Sequence, residues 1–129
     1  MSAEREVLTA AEALVQAFAS GDSAAYFACF VPEATFVFHT TPTRLESRAA
    51  YEALWAQWVE QDAFAVVSCV STDRRVQLLG PDAAVFTHDV ATVVDVGGSR
   101  EELAERETIV FARRDGAWLA VHEHLSPAP

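Results

Sequence analysis

The chain has 129 residues, 51% of them apolar, a formal charge of −10 and a pI of about 4.6. That length holds one domain, residues 1–129, with a real core, and the apolar share excludes a disordered chain. The acid excess excludes nucleic acid and anionic membrane as partners, since both need a basic surface; it has no long run and reads as solvated exterior.

The N-terminus, Ser2-Ala-Glu-Arg-Glu-Val, is charged and lacks the basic start and apolar run of a leader peptide. No stretch approaches the ~18–20 apolar residues of a membrane span. Cys29 and Cys69 sit in apolar surroundings without a CxxC or a His/Cys cluster, which suits buried thiols of a reducing compartment rather than structural zinc. The expectation is a cytoplasmic protein.

Glu4 to Ser20 reads as a helix capped by Ser2, with Val7, Leu8, Ala11, Leu14, Val15 and Phe18 as its apolar stripe and Gly21 as its stop. Asp22 caps a short second helix, Ser23 to Cys29, which Pro32 terminates. Ala34 to Thr40 alternates like a strand. Ser47 caps a third helix to about Gln61, with Tyr51, Leu54, Trp55, Trp58 and Val59 along one side. Phe64 to Leu79 is a strand long enough to require a bend or bulge. Gly80-Pro81-Asp82 turns it into Val85 to Val96, and Gly97-Gly98-Ser99 turns again.

Asp115-Gly116 is the strongest hairpin signal in the chain. A two-residue turn there sets Arg113 against Trp118, Phe111 against Ala120, Ile109 against His122 and Glu107 against His124, all on one face. The other face carries Ala112, Val110, Thr108, Leu119, Val121 and Glu123. The order of elements predicts an α+β domain in which three N-terminal helices and one strand precede a four-strand meander. Both hairpin faces are apolar, yet three helices cover only one. The uncovered face predicts a homodimer through the outside of the sheet.

Two stretches, Ala28-Cys-Phe-Val-Pro-Glu-Ala-Thr-Phe36 and Arg113-Arg-Asp-Gly-Ala-Trp-Leu-Ala-Val-His-Glu-His-Leu-Ser126, together with that order of elements, resemble the nuclear transport factor 2-like superfamily, with its SnoaL-like and ketosteroid-isomerase-like members. The second stretch is similar to the end of the association domain of calmodulin-dependent protein kinases. The resemblance implies a cystatin-like cone, a strongly curved sheet wrapped around the helices with a pocket at its open end. It does not choose an activity, because the superfamily hosts isomerases, cyclases, dehydratases and pure assembly domains. In the kinase association domains a ring of inward arginines lies at positions matching Val90, Ile109 and Leu125. With apolar residues at all three, the resemblance implies an apolar pocket, faced also by Glu107, His122, His124 and His88. The chain departs from ketosteroid isomerases at the chemistry: the first helix has no tyrosine, and Phe36 to His39 offers no acid.

Glu107 and His124 then form the sharpest pair, a carboxylate orienting an imidazole that acts as general base, with His122 as acid or ligand holder. The competing reading is a half-exposed cross-strand ion pair. His88 reads either as pocket wall or as core histidine, and His39 as a residue near the pocket mouth. Trp55, Trp58, Phe36 and Phe38 belong to the core or the pocket lining. His122 and His124 with Glu107 have a metal-like spacing, but the resemblance speaks against it, and no metal or cofactor is expected. Two functions follow. One is a cofactor-free isomerase, cyclase or dehydratase of an apolar carbonyl compound. The other is a ligand-binding or assembly domain without turnover.

Overall fold

The computed structural model describes residues 2–129. Three helices, α1 (Ala3–Ala19), α2 (Ser23–Phe27) and α3 (Arg48–Asp62), lie among five strands, β1 (Phe30–Phe38), β2 (Ala65–Leu78), β3 (Ala83–Val96), β4 (Ser99–Arg114) and β5 (Ala117–Pro127). The expected caps form: Ser2, Asp22 and Ser47 each accept a backbone N–H from the first helical turn, at 3.2, 3.1 and 3.1 Å. The strands make one open mixed sheet in the order β1-β5-β4-β3-β2, with β1 parallel to β5 and the remaining pairs antiparallel.

β2 carries the irregularity its length requires. Its register against β3 shifts between Val66 and Ser68 and again between Thr72 and Arg75. β1 differs from expectation. It begins at Phe30, four residues before Ala34, and Pro32 lies inside it. An edge strand tolerates this, because the ladder to β5 is broken between Phe30 and Thr35, where the missing proline N–H has no partner to disappoint.

The β4–β5 hairpin follows the expected register only near its turn. Asp115 and Gly116 both adopt positive φ (53° and 80°), as a two-residue type I′ turn demands. Arg113 pairs with Trp118 and Phe111 with Ala120. A bulge then adds one residue on the β5 side, so that Val110 meets His122, Ile109 meets Glu123, Thr108 meets His124 and Glu107 meets Leu125. Beyond the bulge every β5 side chain faces opposite to the simple count. Glu123 turns inward, while His122 and His124 turn outward.

The helices cover the inner face: α1 packs on β2, β3 and β5, and α3 on β1. At the closed end Phe36, Phe86, Ile109, Phe111 and Ala120 are fully buried or nearly so. Tyr26, Phe27, Tyr51 and Trp55 interlock above them largely edge-to-face, with Phe36 and Tyr51 centroids 4.6 Å apart. Such pairs add about 0.5–1.5 kcal/mol each beyond area burial. Val59, placed on the apolar stripe of α3, is instead 49% exposed.

Candidate functional site

At the open end the helices stand away from the sheet and leave a cavity of about 280 Å³. Leu14, Val15 and Phe18 of α1, Tyr26 of α2, and Tyr51, Trp55 and Trp58 of α3 form one wall. Val90, Thr92, Glu105, Glu107, Glu123 and Leu125 form the opposite wall, with Phe38 and Phe64 at the sides. A mostly apolar enclosure with a few convergent polar groups is the usual make-up of a small-molecule site.

The charged groups among them are carboxyls. Glu107 lies directly across the β3–β4 ladder from His88, whose Nε2 is 2.6 Å from Glu107 Oε1. The other ring nitrogen, Nδ1, is 2.6 Å from Ser71 Oγ. The tautomer that satisfies both contacts donates Nε2–H to the carboxylate and accepts the serine hydroxyl. Glu105, 5% exposed, is met by His39 Nε2 at 2.5 Å. Glu123, 2% exposed, has no basic partner among the described residues. Burial pushes its carboxyl well above the usual carboxylate range, helped by the charge of Glu107 and a hydrogen bond shared with it. Burial therefore favours the protonated form of Glu123.

Tyr26 and Tyr51 place their hydroxyls 3.0 Å apart against this group. Burial, the largest cause, raises both phenols well above their ordinary value, so both remain protonated. One O–H serves the bond between them and the other stays available as a donor. The first helix indeed lacks a tyrosine, but the second and third helices bring two. The acid absent from Phe36 to His39 arrives from β4 and β5 instead.

The structure therefore corrects the proposed constellation. His124 stands opposite Thr108 on the outer face, away from Glu107, and His122 stands opposite Val110 beside it. The His122 and His124 rings are 6.5 Å apart, and His122 Nδ1 contacts Thr35 Oγ1 at 2.8 Å. Partial burial, then the charges of Arg44 and His124, hold His122 below its ordinary value. The metal-like trio of His122, His124 and Glu107 is split between two faces of the sheet. Ile109 and Phe36 are 0% exposed and lie in the packed core rather than in the cavity wall. His88 and His39 stand behind the wall and orient its glutamates. Val90, Trp55, Trp58, Tyr51, Phe38 and Leu125 do line the cavity, as do Glu105, Glu123 and Tyr26, which the sequence reading left out. Among the described residues no three His, Cys, Asp or Glu side chains converge as a metal-holding set.

With fold and cavity established, comparison places the chain. It belongs to the SnoaL-like domain family, whose model matches residues 7–129. It is 26% identical over 127 residues to the calcium/calmodulin-dependent protein kinase type II subunit delta of Oryctolagus cuniculus, an alignment covering 98% of this chain and 24% of that protein. The chain thus spans about a quarter of that relative. Among solved structures it is similar to a putative calcium/calmodulin-dependent protein kinase II association domain from Xanthomonas campestris, with 25% identity, a TM-score of 0.79, and coverage of 97% of this chain and 87% of that one. An NTF2-like protein of unknown function from Prochlorococcus shares the fold at 20% identity and a TM-score of 0.80, covering 100% and 95% of the two chains.

Proposed function

We propose that this domain binds a small, largely apolar molecule in the aromatic cavity and moves a proton on it without a cofactor. The observation that supports this is the pairing of the buried Glu123 with Glu107 on one cavity wall. Glu107, held from behind by His88 and Ser71, accepts a proton next to a carbonyl of the bound molecule. The free hydroxyl of the Tyr26–Tyr51 pair donates a hydrogen bond to the oxygen on which charge develops. This keeps the carbonyl chemistry expected from sequence and moves it from imidazole to carboxyl.

The test is deuterium exchange at carbons next to the carbonyl in a panel of apolar ketones and lactones, followed by NMR. Wild type is expected to catalyse exchange in at least one of them. Glu107→Gln is expected to slow it by about 10²–10⁴-fold, the usual contribution of a positioned base. Binding without exchange leaves a ligand-binding domain; neither binding nor exchange sinks the whole reading.

A second reading concerns assembly. The outer sheet face carries half-buried Val85, Val110 and Leu119 around His122, and no helix among the described residues covers it. Kinase association and hub domains share the fold. Both support a homodimer through this face. Sedimentation is expected to show a dimer that Val110→Glu returns to monomer; an unaltered dimer in that variant moves the interface elsewhere.

A further inference from the structure

The cavity wall carries carboxyls in excess of anything this chain supplies to neutralise them. Asp62 and Glu101 stand exposed at its rim, and Glu105, Glu107 and Glu123 lie further in. Among the described residues no lysine or arginine lines it. His39 and His88 answer Glu105 and Glu107. Glu123, with 98% of its surface buried in the fold, points at the cavity and meets neither histidine, arginine nor lysine among the described residues. The facing wall presents the rings of Trp55, Trp58 and Phe18. Indole and phenyl faces attract cations, and a desolvated cation–π contact strengthens binding.

We infer that the bound molecule carries a cationic amine on its apolar body, seated between Glu123 and the Trp55–Trp58 wall. This rests on the small-molecule reading above and deepens it: the carbonyl compound is an amino ketone or a close analogue. A neutral carbonyl compound alone leaves Glu123 with no counter-charge to recognise. A bare metal ion is a poor match, since the carboxyls are spread along a wall and do not converge. An anion meets only like charge.

The cation also explains how a neutral carboxyl serves recognition. With the cavity empty, burial and the neighbouring Glu107 favour the protonated form of Glu123. An ammonium beside it favours the carboxylate, so binding expels the proton. Glu105, Glu107, Asp62 and Glu101, the histidines behind the wall, the two phenols and the Cys69 thiol share this field. Burial raises the phenols and the thiol, leaving them uncharged near neutral pH.

The test uses a matched set of probes on the full chain: γ-dimethylaminobutyrophenone, its neutral isostere with an isopropyl group replacing the dimethylamino group, and anionic γ-benzoylbutyrate. Calorimetry in buffers of different ionisation enthalpy, with tryptophan fluorescence, gives affinity and proton release together. The amine is expected to bind about tenfold tighter than its isostere, within the range of a cation–π contact joined to a carboxylate. It is also expected to release protons at pH 7. Glu123→Gln is expected to bring the amine-to-isostere ratio close to one and to abolish the release. Trp58→Leu is expected to lower the ratio while keeping the release. If the isostere binds as well as the amine, without proton release, the cation inference is overturned and the small-molecule reading stands. If no probe binds to the wild-type protein, both fall.

Discussion

Phe111 and Glu107 lie on the same face of one strand, a single turn of side-chain alternation beyond Ile109 in opposite directions, yet their surroundings are opposite. Around Phe111 the inner face is closed by Phe86, Ala120 and Trp118, and almost no surface remains. Around Glu107 the same strands face a cavity and bring Glu105 and Glu123 beside it. The closed end contributes stability through packing. The open end gives some of that up, because a buried carboxyl without a counter-charge costs free energy that a leucine in its place does not. One sheet thus carries a structural half and a chemical half, divided near the β5 bulge.

The sharpest way to break that comparison is at the closed end. Phe111→Ala is expected to cost about 3–5 kcal/mol in urea unfolding while leaving probe affinity in the folded protein unchanged. A large change in affinity would mean the two halves are not separate. At the open end Glu123→Gln is expected to do the reverse. A carboxyl raised in the folded state binds its proton more tightly there than in the unfolded chain. Its contribution is complete at acid pH and is lost as pH climbs from the ordinary carboxyl range through the folded value. Glu123→Gln removes this decline and is expected to gain about 1–3 kcal/mol above it. Parallel stability–pH curves for the two proteins would refute the placement.

Tyr26→Phe probes the seam between the halves. It removes one hydroxyl of the buried pair and is expected to cost about 1 kcal/mol and to weaken deuterium exchange, the second effect separating donor from filler. On the outer face the effect is smallest. His122 titrates below its ordinary value, so the folded state holds its proton less well than the unfolded chain. Stability is expected to fall slightly as pH drops below about 6.5, by less than about 1 kcal/mol. His122→Gln is expected to flatten that part of the stability–pH curve.

The fold was readable because its signals are local. Ser2, Asp22 and Ser47 announce helices, and Asp115-Gly116 announces its turn, through contacts made within a few residues. The aromatic wall from Trp55 and Trp58 was readable from helical spacing for the same reason. The carboxyl wall was not. Facing in a strand is a parity count from the turn, and the count holds only while the ladder is unbroken. Ala120-Val121-His122 contains no glycine or proline to mark the bulge. A conspicuous His-Glu-His triplet therefore assigned its two imidazoles to the cavity and its glutamate to the outside, the inverse of what forms. Glu105 and His39 find each other across 66 positions of sequence, beyond the reach of any local pattern.

The bulge at Val121 also bears on how such chains change over generations. Ala120 and Glu123 face the same side although an odd number of steps separates them. Losing the bulged residue leaves the pairing of β4 with His122, Glu123 and His124 as it stands, so a one-codon deletion there shortens the gene without exchanging acid for imidazole in the cavity. The same deletion one residue beyond Glu123 draws the rest of the strand onto the wrong side. Length in this hairpin is neutral at one address and decisive a few residues away.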